Sequence, residues 1–291
     1  MKTARDVLPH YFSILKGDER AGYLDACIGK RALKAHKILE DCHFCERRCG
    51  VDRTRGERGY CGVGKAGIAS RFLHHGEEPE LVPSFTVFFS GCTMKCLYCQ
   101  NWDISQNPKS GVYVEPEQLA GEISTIGARN VNWVGGDPTP NLYYILQVLA
   151  ICERSIPQIW NSNMYCSREA MELLDGVMDV YLTDFKYGND TCAKRLSDAP
   201  NYLEIVKRNH LLAYKQGDVL VRHLVLPNHF ECCTKPILRW LSENLPNARI
   251  NIMDQYRPEW RAHEVQELMH KPLQEYRDAV KLGTELELNL V

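Results

Sequence analysis

Three cysteines at close spacing are the residues of this sequence best suited to chemistry. Cys92, Cys96 and Cys99 form a C-x3-C-x2-C triplet within residues 86–100. Three thiolates can hold three irons of a four-iron cluster, and the fourth iron is then open to a substrate or cofactor. The spacing therefore predicts a reactive iron–sulfur centre rather than one that only stores electrons.

A second group, Cys42, Cys45, Cys49 and Cys61, lies nearer the amino terminus. These cysteines fall within 20 positions, where this composition predicts about one cysteine. Four thiolates close a coordination shell, so the group predicts either a structural zinc ion or an auxiliary iron–sulfur cluster. The residues leave these two alternatives open, with a set of free thiols as the third.

The remaining cysteines are predicted to be packing or surface thiols. Four stand alone and two are adjacent, so the adjacent side chains should point apart in a helix or strand. They are Cys27, Cys152, Cys166, Cys192, Cys232 and Cys233. Glu77 and Glu78 are predicted to lie in a surface loop.

Composition indicates a cytoplasmic α/β protein that uses its thiols as ligands. The 291 residues are 44% hydrophobic, enough for one large domain or one domain with a small appendage. No apolar run is long enough to span a membrane, and residues 1–7 lack the apolar core of a signal peptide. Thirteen cysteines in a cytoplasmic protein favour metal binding over disulfides.

Charge is distributed unevenly along the chain. Residues 30–71 contain 11 Lys/Arg and five Asp/Glu, although the whole chain has a net charge of −2. This surplus is typical either of a solvated basic face or of a docking face for an acidic electron donor such as flavodoxin or ferredoxin. A nucleic-acid partner is disfavoured because no RNA- or DNA-binding motif accompanies the charge.

The elements that must position these residues can be predicted from apolar periodicity. Residues 3–40 are predicted to be helical, and residues 41–67 should need a metal to become ordered. From residue 85 a strand–loop–helix pattern repeats. The predicted strands are 86–90, 131–134, 158–161, 177–183, 219–226 and 249–253, and the predicted helices are 116–128, 140–154, 167–176, 200–215 and 232–245. Six β-α units with apolar strands predict a parallel sheet curled into an incomplete (β/α)6 barrel.

Three regions follow from this pattern. Residues 1–72 are predicted to be a helical and Cys-rich metal-binding region, residues 73–260 the barrel, and residues 261–291 a helical extension. Polar residues cluster just after the predicted strands, which is where barrels collect their functional groups. We therefore expect an active site at that rim.

Two motifs resemble those of radical S-adenosylmethionine (SAM) enzymes. They are Cys92-Thr-Met-Lys-Cys96-Leu-Tyr-Cys99, entered from a strand, and Gly135-Gly136-Asp137-Pro138 after the next strand. The resemblance covers roughly residues 75–260. Within the superfamily the chain is similar to the activating-enzyme branch, which places a radical on a glycine of pyruvate formate-lyase and its relatives. It is also similar to an uncharacterised subgroup of that branch at residues 99–102, 184–187, 222–227 and 253–258.

The resemblance implies the cofactors and their contacts. Cys92, Cys96 and Cys99 would ligate a 4Fe–4S cluster whose open iron is chelated by SAM. One electron would then cleave SAM to a 5′-deoxyadenosyl radical that abstracts hydrogen from a substrate. The implied cofactor contacts are Tyr98 near adenine, Gly135, Gly136 and Asp137 near the methionine amino group, Asp184 and Lys186, Arg222 at the carboxylate, and by rim position Asn163 and Gln255.

Three hypotheses for function follow. The first is hydrogen abstraction from a glycine of a protein partner. The second keeps the radical chemistry but directs it at a peptide, an RNA or a small molecule. The third is a non-enzymatic iron–sulfur or zinc protein in electron transfer or scaffolding, which leaves the polar rim unexplained.

Overall fold

One eight-stranded sheet organises the protein. The computed structural model describes residues 2–291. The strands are β1 (Ile68–His74), β2 (Ser84–Phe89), β3 (Asn130–Gly135), β4 (Gln158–Ser162), β5 (Val180–Asp184), β6 (Asp218–Leu224), β7 (Arg249–Met253) and β8 (Asn289–Leu290). They lie in chain order, with β1 antiparallel to β2 and every later pair parallel. The sheet is open between β1 and β8, which confirms the incomplete barrel.

Helices cover the sheet and precede it. They are α1 (Ala4–Val7), α2 (Pro9–Lys16), α3 (Ile28–Glu40), α4 (Trp102–Ser105), α5 (Pro116–Thr125), α6 (Leu142–Leu149), α7 (Arg168–Leu174), α8 (Asp190–Ser197), α9 (Tyr202–Gln216), α10 (Lys235–Asn244) and α11 (Leu273–Glu285). The six predicted strands correspond to β2–β7. The predictions missed β1, β8, α4 and α8, which are short or lie outside the repeating pattern. No helix within residues 2–291 is both long and apolar enough to cross a membrane.

The inner face of the barrel is divided between an apolar end and a polar end. At the amino ends of the strands, α1 and α2 pack inside the sheet, where Tyr11 joins a buried apolar cluster with Ile159, Leu182 and Leu220. Side chains alternate along a strand, so the same face continues two residues further on. There it presents Asn161, Asp184 and Arg222 to a cavity at the carboxyl ends of the strands.

Residues 41–67, hereafter the Cys-rich segment, contain little regular structure. Their one helical element is a single 3-10 turn at Arg53–Arg55. The segment ends where β1 begins, and β1 then pairs with β2 along its length. The division into residues 1–72, 73–260 and 261–291 stays a prediction, with β1 crossing the first boundary.

Candidate active site

The first cysteine triplet lies on the loop that leaves β2. Residues 90–99, hereafter the cluster loop, carry Cys92, Cys96 and Cys99 as free thiols, the first two buried and the third half-buried. The loop is fixed by backbone hydrogen bonds from Lys95 N to Ser197 O (3.0 Å) and from Leu97 N to Leu196 O (2.9 Å). The end of α8 therefore holds the loop in place.

Each of the three sulfurs has a polar side chain within hydrogen-bonding distance. These neighbours are Asn163 Nδ2 at 3.7 Å from Cys92 Sγ, Ser197 Oγ at 2.9 Å from Cys96 Sγ, and Ser105 Oγ at 3.1 Å from Cys99 Sγ. Hydrogen bonds to ligand sulfurs help to set the reduction potential of an iron–sulfur cluster. The protein therefore supplies the outer shell that such a cluster needs.

A buried chain of hydroxyl groups continues from Cys96. Ser197, which donates to the Cys96 sulfur, is hydrogen-bonded to the Tyr187 hydroxyl, and that hydroxyl lies 2.7 Å from the Tyr98 hydroxyl. The Tyr98 ring also packs edge-on against Tyr256, with ring centroids 5.9 Å apart. Tyr98 therefore lines the cavity as part of a hydrogen-bonded wall, and its contact with adenine stays a prediction.

The packing of the fold itself requires the two glycines of the glycine motif. A Cβ on Gly135, which has φ +122°, would lie 2.1 Å from Phe89 N, and one on Gly136 would lie 2.1 Å from Gly91 O. The end of β3 therefore approaches the end of β2 too closely for any side chain. This close approach also gives the Gly136 N–H its partner, Phe89 O, at 2.8 Å.

Asp137 is buried and organises the loop after β4. Its carboxylate accepts hydrogen bonds from Thr139 N at 2.9 Å, Ser162 Oγ at 3.1 Å and Asn163 N at 3.1 Å. Burial raises the pKa of Asp137, although these hydrogen bonds act in the opposite direction. Asn163 in turn donates to Thr93 Oγ1 at 3.0 Å, so the carboxylate is connected to the cluster loop.

Asp184 and Lys186 form an ion pair in the wall of the cavity. Lys186 Nζ lies 2.7 Å from Asp184 Oδ2. Burial alone would lower the pKa of Lys186, but the charges of Asp184 and the Cys96 thiolate raise it above its usual value. The ammonium group therefore stays charged beside the thiols.

Arg222 is already paired with two carboxylates. It donates from Nε to Glu78 Oε1 at 2.8 Å and from Nη2 to Glu78 Oε2 at 2.7 Å, and Nη2 also contacts Glu77. Asn251 Nδ2 donates to Glu78 Oε1 at 2.7 Å. The surface-loop prediction for Glu77 and Glu78 is therefore wrong, because their side chains are 6% and 1% exposed. Burial raises and Arg222 lowers the pKa of Glu78, with a net lowering.

One cavity brings the predicted site residues together. Its volume is about 220 Å3, and we call it the thiol cavity. Its wall includes every residue predicted to hold the cluster or SAM: Cys92, Cys96, Tyr98, Cys99, Gly135, Gly136, Asp137, Asn163, Asp184, Lys186, Arg222 and Gln255. A larger cavity of about 520 Å3 lies between the Cys-rich segment and α6 and contains none of them. The candidate active site is therefore identified by the chemistry of the residues in its wall and not by the volume of the cavity.

A second opening adjoins the thiol cavity. This lateral cavity has a volume of about 350 Å3 and shares Asn161, Arg222 and Gln255 with the thiol cavity. It reaches His74 of β1 and Asn251 of β7, which lie on either side of the open part of the sheet. The incomplete barrel therefore leaves a polar entrance beside the thiols.

The four amino-terminal cysteines lie close enough to affect one another. Burial raises the pKa of Cys45, and the charges of Cys61, Cys42 and Cys49 raise it further. The segment is docked on the cluster loop by Arg47, which donates from Nε to Thr93 O at 3.1 Å.

The spacing of the thiols separates two kinds of metal site. A zinc ion with bonds of about 2.3 Å holds its thiolates about 3.8 Å apart, whereas a four-iron cube holds them farther apart. Within residues 2–291, one group of three or more His, Cys, Asp or Glu residues has all its ligand atoms within 4.8 Å of one another, and it contains neither predicted set. The three thiols of the cluster loop therefore fit a cluster better than a single ion.

Sequence reasoning missed several residues of the site. Ser197 and Tyr187 lie about a hundred positions from the thiols, on elements whose packing no motif announces. Ser105 lies six positions after Cys99, and this short separation was the one signal available in the sequence, whereas its buried place on α4 is seen only in the structure.

Comparison with known proteins agrees with this geometry. Residues 86–241 match the family model of the radical SAM superfamily. An uncharacterised protein of Methanocaldococcus jannaschii is 48% identical over 266 residues, which cover 88% of this chain and 78% of that protein. The pyruvate formate-lyase 1-activating enzyme of Escherichia coli K12 is 29% identical over 154 residues, which cover 49% of this chain and 61% of that enzyme. Streptococcus suis SuiB bound to SAM has a TM-score of 0.48 and 14% identity, covering 69% of this chain and 47% of that one, a likeness too low to carry an argument.

The family match covers more than half of the chain and includes both the cluster loop and the glycine motif. This superfamily implies a 4Fe–4S cluster and SAM, and the thiols and cavity described above are suited to both. The chain belongs to the radical SAM superfamily.

Proposed function

We propose that this enzyme binds a 4Fe–4S cluster on Cys92, Cys96 and Cys99 and SAM in the thiol cavity, and that it abstracts hydrogen from a glycine of a protein partner. The observation that carries this proposal is the joint presence of the three thiols, the glycine motif and the charged rim residues in one cavity. When bound, the cluster and SAM supply the electron and the radical for hydrogen abstraction.

The residues of the chain would bind and orient SAM and exclude water from the cavity. Lys186 and Asp184 present one positive and one negative group to the cavity, suited to the polar ends of SAM. The buried hydroxyls of Ser197, Tyr187 and Tyr98 close the wall behind Cys96, which keeps water away from that sulfur. Arg222 would reach the carboxylate of SAM by sharing its guanidinium with Glu78.

The lateral cavity supports a peptide as substrate. Its wall contains hydrogen-bonding groups of His74, Asn161 and Asn251, which suit a main chain rich in N–H and C=O groups. A glycine has no side chain, so its α-carbon can pass most closely through such an opening. The similarity to activating enzymes points in the same direction.

The test follows deuterium from glycine. The reconstituted, reduced enzyme is incubated anaerobically with SAM and with the protein fraction of cells grown on α-deuterated glycine, and 5′-deoxyadenosine is analysed by mass spectrometry. We expect deuterated 5′-deoxyadenosine and a glycyl radical signal in the protein fraction.

The control uses the small-molecule filtrate of the same cells. If deuterium-free 5′-deoxyadenosine rises with the filtrate and not with the protein fraction, the glycine proposal fails and a small-molecule substrate replaces it. Ribonuclease-treated and protease-treated fractions distinguish RNA and peptide substrates in the same assay.

We also propose that Cys42, Cys45, Cys49 and Cys61 hold an auxiliary iron–sulfur cluster, with structural zinc as the alternative. Their sulfurs are not gathered within 4.8 Å of one another, a spacing wider than zinc requires. Reconstituted protein should then contain about eight irons per chain, whereas zinc in this segment would leave about four.

The donor of the electron is proposed to be acidic, such as flavodoxin or ferredoxin. Exposed Lys30, Lys34 and Lys37 project from α3 beside the Cys-rich segment. Changing Lys34 and Lys37 to Glu should slow reduction by flavodoxin at low salt, and the difference should shrink at high salt because surface charges are screened. Reduction by dithionite is the control and should not change.

A further inference from the structure

The structure gathers three cysteines that the sequence scatters. Cys192 lies near the start of α8, and Cys232 and Cys233 lie on a π-helical turn at Phe230–Thr234. The Cys192 and Cys232 sulfurs are 3.9 Å apart, and the Cys232 and Cys233 sulfurs are 3.8 Å apart. The expectation that the adjacent pair points apart is therefore wrong, because a π-turn winds differently from the helix and strand on which it rested.

These distances match those of a mononuclear thiolate site. A tetrahedral ion with metal–sulfur bonds of about 2.3 Å has sulfurs about 3.8 Å apart. Within residues 2–291, this is the one group of three or more His, Cys, Asp or Glu residues whose ligand atoms all lie within 4.8 Å of one another. The thiols of the cluster loop and of the Cys-rich segment are more widely spaced.

A single amide orients all three cysteines. Asn189 caps α8, where its Oδ1 accepts from Cys192 N at 2.8 Å. Its Nδ2 donates to Cys232 O at 2.8 Å and lies 3.7 Å from Cys233 Sγ. Outer groups of this kind typically orient metal ligands, and a packing cluster of thiols would not need one.

The surroundings suit a charged and open site. Three thiolates and a divalent ion carry one net negative charge, and Arg195, three positions after Cys192 on α8, brings a positive group that is paired with Glu267. Cys192 and Cys233 are buried, whereas Cys232 is exposed, so one side of the triad faces solvent. An open fourth position is typical of zinc sites that bind a further ligand.

We propose that Cys192, Cys232 and Cys233 form a zinc site with three thiolates and a solvent-accessible fourth position. The site lies on α8, which follows β5, and on the π-helical turn that follows β6, at the same end of the barrel as the thiol cavity. Its fourth position suits water or a soft sulfur or nitrogen donor from a substrate or partner. The site does not rest on the proposed function.

The test counts zinc in enzyme whose other cysteine sets are already filled. Wild-type protein and Cys232→Ser are reconstituted with iron and sulfide, incubated with Zn2+, passed through a desalting column with a competing chelator, and analysed for metal. We expect the wild type to retain one more zinc per chain than Cys232→Ser. Cys27→Ser removes an exposed, isolated thiol and is the matched control, expected to retain zinc as the wild type does.

A second variant tests the amide. Asn189→Ala should keep all three thiols but weaken zinc binding by about 10- to 100-fold in chelator competition. Equal zinc retention by wild type and Cys232→Ser would overturn the proposal. So would a wild type that binds no zinc and whose intact mass shows a disulfide between Cys192 and Cys232. SAM cleavage by Cys232→Ser tests the thiol cavity separately, because the zinc content of this variant and its cleavage of SAM do not depend on each other.

Discussion

The cluster loop and the Cys-rich segment both carry spaced cysteines, but the protein fixes them in different ways. The cluster loop leaves β2 directly and is held by main-chain hydrogen bonds to α8 and to Ile104 of α4. The Cys-rich segment is longer but has few main-chain bonds to the barrel, chiefly Ser167 N to Phe44 O at 2.9 Å and Glu46 N to Tyr165 O at 3.4 Å. Long side chains anchor it instead, among them Arg53, which donates to Pro140 O at 2.8 Å, and Tyr60, which donates to Asp198 Oδ2 at 2.7 Å.

The difference indicates which site exists before its metal binds. Backbone hydrogen bonds to helices of the barrel do not require a ligand, so the cluster loop is shaped by the fold. Side-chain anchors cost rotamer entropy when they become ordered, so the Cys-rich segment should depend more on its metal for order. Part of the positive charge of the Cys-rich segment has a structural role, because Arg47 and Arg53 donate hydrogen bonds to main-chain carbonyls of the barrel.

The largest expected effect comes from Cys96→Ala. Without this thiolate the barrel cluster has two protein ligands, so about four irons and all cleavage of SAM should be lost. Because the fold shapes the loop, the melting temperature of the metal-free protein should change little.

Cys152→Ala is the matched control for that variant, since Cys152 is also buried but lies away from both sets. It should keep its iron and its activity. Cleavage of SAM by Cys96→Ala would show that the assignment of the cluster loop is wrong.

Cys45→Ala tests the other half of the comparison. Loss of a ligand from the Cys-rich segment should release its metal and expose its backbone, because few other contacts order it. Trypsin should then cut within residues 41–67 about tenfold faster or more, while the barrel stays resistant. Iron and zinc measured in parallel identify the metal that is lost.

The same experiment can contradict the comparison. If the segment in Cys45→Ala resists trypsin as the wild type does, the side-chain anchors suffice to order it. The two regions would then differ in secondary structure but not in their dependence on metal.

Much of this architecture could be predicted because it depends on local pattern. The apolar strands and the polar residues after them specify the rim, and each residue predicted to hold the barrel cluster or SAM lines the thiol cavity. Contacts distant in sequence could not be predicted. The partners of Arg222 are one example, since Glu78 lies 144 positions away.

The cysteine triad was missed for a different reason. The prediction for Cys232 and Cys233 assumed regular helix or strand geometry, which separates adjacent side chains. The π-turn that brings their sulfurs together has no sequence signature, and Cys192 joins them through the packing of α8.

A smaller effect is expected from Ser197→Ala, which leaves the cluster loop intact but removes the hydrogen bond to Cys96 Sγ. Such bonds favour the more negative, reduced cluster, so the potential should fall. A loss of about 1 kcal/mol corresponds to about 40 mV for one electron. Redox titration followed by electron paramagnetic resonance measures the shift.

Tyr187→Phe provides an intermediate case, because Tyr187 contacts Ser197 and not the Cys96 sulfur. It should shift the potential less than Ser197→Ala does. An unchanged potential in Ser197→Ala would mean that the hydrogen bond from Ser197 does not affect the reduction potential of the cluster.

The smallest expected effect concerns a surface anchor of the Cys-rich segment. Arg48 holds Glu169 of α7 through two hydrogen bonds of 3.0 and 2.8 Å, and this pairing lowers the pKa of Glu169 to about 2. The two side chains are 45% and 39% exposed, so solvent screens them and Glu169→Gln should cost less than about 1 kcal/mol. Urea denaturation measures the change, with Glu172→Gln on the same helix as control.

The difference in stability between wild type and Glu169→Gln should depend on pH and on salt concentration. A carboxyl whose pKa is lowered on folding stabilises the protein above its usual pKa of about 4.5, and that contribution is lost as the pH falls toward about 2. The difference between wild type and Glu169→Gln should therefore stay constant from about pH 8 to about pH 5 and should shrink at high ionic strength. A difference that is unaffected by salt would assign the anchor to packing rather than charge, and the Cys-rich segment would then be held more as the cluster loop is.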